Sequence, residues 1–419
     1  MTEITISHKT KLAEENAGTF IPLIELFLIF LKIGSLAFGG YMALISVIEE
    51  SIVKKRKFIT HQEMLDGMAL ANLLPGPMAV NVVAFVGYKV RGKTGALVSA
   101  TAVLLPTFIT MLILSYFYFN YGELAGVTSV FQGFIPAMAA VVLSVVWRLG
   151  KKTIQGKTEL LLAITSFITL ILVPIDFKIY TPILLIIISG LVGYKLFTTS
   201  SAQTDVKNEL NNILNKKILF TFIVFIALVI LFFIPLPLDK NSLLFLAITF
   251  ASMSLMLFGG GYVFIPIIGS VVVIEHGWVT QQQFMDGIAL GQITPGPILI
   301  SAAFIGYKVA GILGATVSTI AIYTVPAVLM ITASQWLDVI QKSKGMQAAM
   351  KGIHCVVIGM IAVAALVILK SAFPISPISV DNAWPPILIF IASLVCLIKF
   401  NLDLIWIIPT AGLLGYMLF

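Results

Sequence analysis

Residues 38–77 read FGGYMALISVIEESIVKKRKFITHQEMLDGMALANLLPGP, and residues 258–297 read FGGGYVFIPIIGSVVVIEHGWVTQQQFMDGIALGQITPGP. Laid against each other without a gap, 15 of the 40 positions are identical. The matches include Phe38-Gly39-Gly40 with Phe258-Gly259-Gly260, Asp66-Gly67 with Asp286-Gly287, and Pro75-Gly76-Pro77 with Pro295-Gly296-Pro297. After a slip of one residue, Gly87-Tyr88-Lys89-Val90 matches Gly306-Tyr307-Lys308-Val309. Self-similarity of this kind marks a duplication. The chain divides into a polar N-terminal segment (1–19), a first module (20–197), a connector (198–241) and a second module (242–419). The connector begins polar and ends in an unmatched apolar run, 218–235.

The apolar fraction is 59% and charged residues make up 11%, with a mean hydropathy of +1.05. Soluble domains carry roughly 25% charge, so lipid has to be the solvent for much of this surface. Apolar runs approach the length of about 20 residues that a spanning helix needs. They recur along the whole chain and leave no room for a soluble catalytic domain. The net charge of +7 does not point to nucleic acid, because Lys and Arg sit in short loops between apolar runs, as the positive-inside rule describes. Residues 1–19 have no signal-peptide pattern. Cys355 and Cys396 lie in apolar runs and form no framework.

Each module opens with two interrupted apolar stretches and continues with four plain ones. In the first module the interruptions are Gly39-Gly40 and Pro75-Gly76-Pro77. The loops after them have opposite charge bias in the two copies. Lys54, Lys55, Arg56 and Lys57 correspond to Ile274-Glu275-His276-Gly277, which has neither Lys nor Arg. Further on the bias reverses: residues 120–132 carry no Lys or Arg, whereas the second copy has Lys342, Lys344 and Lys351. Opposite bias in equivalent loops predicts opposite orientation, with the run 218–235 as the single crossing that inverts the second copy. The predicted fold is an all-α polytopic membrane protein of two inverted repeats. Each repeat has two re-entrant helical hairpins and about four spanning helices, and one linking helix joins them. The N-terminus is then cytoplasmic and the C-terminus outside.

The breaks are where function is expected. Irregular backbone survives in hydrocarbon only where protein or a wet cavity satisfies it. Two prolines remove two N–H donors, and a helix restarting after them aims free N–H groups and a positive dipole end into the membrane interior, which suits an anion. Two hairpins per module, from opposite sides, are expected to converge on one pocket near the midplane, the plan of many secondary transporters. The candidate substrate-binding residues are Gly39, Gly40, Asn72, Pro75, Gly76, Pro77 and Asn81 in module one. In module two they are Gly259, Gly260, Gly261, Gln292, Thr294, Pro295, Gly296, Pro297 and Ser301. Asn72, Gln292 and Thr294 donate hydrogen bonds without fixing a charge; Asn81 and Ser301 could equally bond between helices. Candidates for coupling or anion attraction are Lys32, Asp66, Lys89, Asp286 and Lys308. Lys89 and Lys308 could simply snorkel, and Asp66 and Asp286 could be helix caps. His354, inside an apolar run, reads as a core histidine.

These residues resemble the chromate ion transporter (CHR) family in its long, two-module form. The resemblance rests on Phe258-Gly259-Gly260-Gly261 followed by Pro266, on Asp286-Gly287, on Gly291-Gln292 with Pro295-Gly296-Pro297, and on Gly306-Tyr307-Lys308. Module one departs from that pattern at Tyr41, Ser46 and Asn72, so the second half is expected to hold the ligand more tightly. The resemblance implies a multi-pass protein of the cytoplasmic membrane that removes chromate, driven by a proton or ion gradient. The partners it implies are chromate or a similar oxyanion, a coupling proton or ion, lipid and a second copy of the chain. Sulfate, or an anion channel using the same pocket, stays open on the residues alone. No G-x-x-x-x-G-K-[ST] loop for an ATP-driven pump is present, and His8, His61, His276 and His354 are scattered, so neither an enzyme nor a metal or cofactor site is expected.

Overall fold

The computed structural model describes residues 21–37, 41–122, 124–174, 181–198, 239, 242–258, 264–334, 344–373 and 384–419. The segment 1–19, the linking run 218–235, and Gly39, Gly40, Gly259, Gly260 and Gly261 lie outside them. Among the described residues there are fourteen α-helices and no strand. Module one contains α1 (Leu23–Leu36), α2 (Tyr41–Ile48), α3 (His61–Leu73), α4 (Met78–Tyr121), α5 (Ala125–Thr153), α6 (Lys157–Leu172) and α7 (Thr181–Phe197). Module two repeats the series as α8 (Leu243–Leu255), α9 (Phe264–Gly269), α10 (Gln281–Ile293), α11 (Ser301–Ala333), α12 (Lys344–Ala372), α13 (Trp384–Ile398) and α14 (Leu404–Leu418). Even a π-turn recurs, at Glu49–Lys55 after α2 and Ser270–Glu275 after α9. Four helices are long and apolar enough to cross a membrane: α4, α5, α11 and α12.

The helices α3 and α10 start at the same device. Thr60 and Glu63, and likewise Thr280 and Gln283, form capping boxes in which side chain and backbone bond reciprocally at 3.0–3.1 Å. Asp66 and Asp286 are therefore not caps; they lie one to two turns inside. Each helix ends before Pro-Gly-Pro, where Leu74 (φ −98, ψ 151) and Thr294 (φ −71, ψ 147) take the extended conformation a following proline favours.

At Pro-Gly-Pro the chain turns back as a hairpin. Gly67 packs against Phe85, and Gly287 against Phe304, at nearly equal sequence distances on either side of the break. Lys89 meets Glu63 at 3.4 Å, each 13 residues from Gly76 (89 − 76 and 76 − 63). The chain thus returns to the side it entered from. Each arm has 13 residues, about 20 Å of helix, against a hydrocarbon core of about 30 Å. The segments on either side of the first break of module two also come together at their far ends: Phe245, at the start of α8, lies 5.1 Å from His276 and 6.1 Å from Trp278, beyond the end of α9.

The long helices α4 and α11 each contain a second reversal. Gly92 (φ +61) and Gly311 (φ +58) break them into a short inner arm and a long outer arm. The arms touch through glycine, Gly87 on Gly95 and Gly306 on Gly314, and the Ser318 hydroxyl donates to the Ala302 carbonyl at 2.8 Å.

The outer arms establish that the modules are inverted. The outer arm of α4 leaves from the base of its own hairpin. At its other end Tyr118 and Phe119 pack against Phe304, 5.0 and 4.7 Å away, near the base of the second module's hairpin. Reciprocally, Met330 and Ala333 at the end of α11 join the cluster around Phe85 and Val86. The two Pro-Gly-Pro hairpins therefore enter from opposite ends of the bundle.

The remaining helices interleave across the modules. The pair α5 and α14 meets backbone to backbone at Gly133 and Gly415, and the equivalent pair α12 and α7 meets at Gly352 and Gly193. Small residues permit this close approach where apolar side chains gain little over lipid. Alongside, α6 runs parallel to α12, with Lys351 bonded to Glu159 at 2.7 Å and the Ser166 hydroxyl to the Val356 carbonyl at 2.8 Å. Gly345 touches Tyr194 and Arg148 donates to the Leu397 carbonyl, so Arg148, Lys195, Lys344, Lys351 and Lys399 gather at one end. A Gly352→Val substitution is expected to destabilise the protein by about 1–3 kcal/mol, since its Cβ overlaps the Ser189 carbonyl and lies 2.7 Å from Gly193 Cα. Gly150→Val, whose Cβ meets only Ile358 Cγ2 at 3.9 Å, should change the unfolding temperature in detergent far less.

Candidate functional site

The two Pro-Gly-Pro tips lie halfway along the outer arms. A Cβ on Gly76 would overlap Pro326 of α11, and one on Gly296 would come within 2.5 Å of Thr107 Oγ1 of α4. The Thr107 hydroxyl also donates to the Pro295 carbonyl. Each tip is tied to the other module's glycine break. The Gly76 N–H donates to the Leu257 carbonyl at 2.6 Å, and the Gly296 N–H to the Ala37 carbonyl at 2.9 Å. In the sequence Leu257 and Ala37 immediately precede the two Phe-Gly-Gly segments, so each tip docks on the residue that leads into the other module's glycine break.

This arrangement alters what the motif contributes. Pro75, Pro77, Pro295 and Pro297 have no N–H, and the Gly76 and Gly296 amides are already bonded. The motif shapes the tips. The open donors are one step further on, at the first amides of the returning helices. The N–H groups of Met78, Ala79 and Val80, and of Ile298 and Leu299, have no backbone acceptor among the described residues, although all five residues are buried. Dipole and free N–H groups together favour an anion there.

The side chains around the tips differ between the modules. Gln292 is 7% exposed and its Nε2 has no acceptor among the described residues. Thr294 is buried and donates to the Gly291 carbonyl at 3.0 Å; Ser301 is buried, faces Gly291 and donates to the Ile298 carbonyl at 2.9 Å. In module one Asn72 is exposed and bonded back to Met68, and His354 of α12 sits beside its carbonyl. Asn81 is fully buried, donates to the Pro75 carbonyl at 3.2 Å and leaves its Oδ1 unpartnered.

The ionisable candidates divide. Lys32 is exposed, on the same face of α1 as Leu28 and Leu36. Lys89 is held at its hairpin base by Glu63, and Lys308, whose equivalent partner position is Gln283, lies 5.1 Å over the Phe119 ring. Asp66 is half-buried and accepts from Gln62 at 3.0 Å. Asp286 is 2% exposed and accepts from Tyr118 at 2.6 Å and Gln282 at 3.0 Å. Thr107, Tyr118 and Pro326 carry no signal in the sequence, because each acts across the module boundary. A cavity of about 590 Å³ between the outer arms, reaching Val80, is lined by aliphatic and threonine side chains with Phe108 and Tyr323, and Lys93 is its one charge among the described residues. It is a poor place for an anion.

The model of the family described as chromate transporter matches residues 24–194 and 244–416. The chain belongs to the chromate transporter family. The family model matches each module once, so the duplication is a property of the family match as well as of the structure. Among relatives, this chromate transporter family member is 28% identical over 399 residues to an uncharacterized transporter of Methanocaldococcus jannaschii, covering 94% of each chain. It is 29% identical over 401 residues to a chromate transport protein of Cupriavidus metallidurans, covering 93% of this chain and 92% of that one. An uncharacterized transporter of Bacillus subtilis matches over 159 residues at 31% identity, 36% of this chain but 77% of its own length. No solved structure matches.

Proposed function

We propose that this protein is a secondary active transporter that exports chromate across the cytoplasmic membrane, binding the anion between the hairpin tips. The observation that carries the reading is the buried Gln292 amide, which has no acceptor among the described residues, set beside the Ile298 and Leu299 amides, which have none there either. A neutral donor set of this kind stabilises a tetrahedral dianion through dipoles and lets it leave again. The name borne by the Cupriavidus metallidurans relative supports chromate as the anion. The cationic end of the bundle is the cytoplasmic one by the positive-inside rule, which puts the N-terminus inside and the C-terminus outside. Inverted hairpins that meet halfway support alternating access.

The test is flux of labelled chromate and sulfate in proteoliposomes. Saturable chromate flux with counter-transport is expected, and single-channel conductance would replace the carrier by a pore. Gln292→Ala is expected to raise the KM for chromate about 10- to 100-fold, the effect of losing one hydrogen bond to a charged ligand. An unchanged KM removes Gln292 from the site.

A further inference from the structure

We propose that Asp286 is a proton-binding site linked to the anion site, so that an oxyanion seated at the second module's tip draws one proton onto Asp286. This rests on the tip binding an anion.

A carboxylate inside the bundle is costly unless charge or proton compensates it. Asp286 has two neutral donors, Tyr118 on Oδ2 and Gln282 on Oδ1, and no charged group acts on it. Among the described residues no cation from the elements packed around α10 is bonded to Asp286. Facing it, α4 offers Tyr118, which is edged by Phe131 of α5 and Phe304 of α11. On α11 the ionisable groups are Tyr307, stacked on Phe119, Lys308, over the same ring, and Tyr323, buried on the outer arm. The cations of α5 are at its far end, with Arg148 bonded to Leu397. Tyr416 of α14 is exposed, and α9 and the turn Ile298–Ile300 have no ionisable side chain.

The link to the tip is α10 itself. Asp286 and Gln292 are six residues apart on one helix, about 9 Å along its axis. Two negative charges at that separation, with little water between them, disfavour each other. A dianion at the tip therefore raises the affinity of Asp286 for a proton, and by reciprocity the proton raises the affinity for the anion. The balance is simple: H⁺ from solvent adds to one carboxylate oxygen, no other bond breaks, and the Tyr118 hydroxyl keeps the remaining oxygen as acceptor. The hairpin base is the shorter route for a proton, since Asp286 lies five residues from the start of α10 and ten from Gly296. Module one has no such site, because Asp66 is half-buried.

The experiment is calorimetric titration of the purified full-length protein with chromate, at an alkaline pH where the free anion is fully doubly charged. It is repeated in two buffers of different ionisation enthalpy. Binding with uptake of about one proton is expected for the wild type, and binding with uptake near zero for Asp286→Asn. Tyr118→Phe should keep the uptake, which separates a titrating carboxyl from a structural bond. Buffer-independent heat in the wild type overturns the proposal without any variant, as does undiminished uptake in Asp286→Asn. If no oxyanion heat is seen at all, the anion site itself is lost and this inference with it.

Discussion

Gly76→Ala and Gly296→Ala are expected to reduce chromate flux at least about 100-fold each, with the protein still inserted. Both glycines hold φ values, +107 and +114, where a side chain is strained, a cost of about 1–3 kcal/mol. The added Cβ also has nowhere to go. At Gly76 it overlaps the Pro326 ring, which is fixed within α11, and at Gly296 it presses on the Thr107 hydroxyl that bonds the Pro295 carbonyl. Overpacking adds a similar amount. Relief requires the tip to retract, which breaks the bond from the glycine N–H to Leu257 or Ala37 and pulls the open amides back with it. Gly92→Ala is the comparison: φ there is +61, yet a Cβ meets nothing within 4 Å. It should therefore lower flux much less. Flux per inserted molecule for the three variants is the measurement, and wild-type flux in Gly76→Ala would mean the tip does not define the pathway.

The residues make the architecture legible because its causes are local. Two prolines around a glycine cannot continue a helix, and four cations in one loop of module one with none in its counterpart cannot both follow the positive-inside rule unless one copy is turned over. Hydropathy misplaces the helix starts because capping chemistry decides there: Thr60-x-x-Glu63 and Thr280-x-x-Gln283 open α3 and α10 a turn or two before the apolar run begins. Lys32 stands out as a charge in an apolar stretch, but its side chain points outward from α1, which no one-dimensional pattern separates from pointing inward. The Tyr118–Asp286 bond is beyond any reading of the sequence. It joins residues 168 apart, and it depends on where the outer arm of one module ends against the hairpin of the other.

Either module expressed alone is expected to show no chromate flux, and co-expression of residues 1–197 with residues 198–419 is expected to restore a substantial part of it. The reason is that neither copy is complete. The tip amide of Gly76 has its acceptor on Leu257, and that of Gly296 on Ala37; alone, each tip keeps a buried N–H unpaired, a loss of about 1–3 kcal/mol. The long helix α5 meets α14 along Gly133, and α12 meets α7 along Gly352, so a lone module exposes a flattened glycine face with no matching helix. A second copy of the same module could supply that face only if it inserted upside down, and the basic loop at Lys54–Lys57 holds every copy of module one in a single orientation. The Bacillus subtilis transporter aligns over 159 residues, 36% of this chain and less than the length of one module. Flux in proteoliposomes, with protease resistance as a report on folding, decides it: a single module that transports at the rate of the whole chain would show that the contacts across the modules are not what makes the pathway.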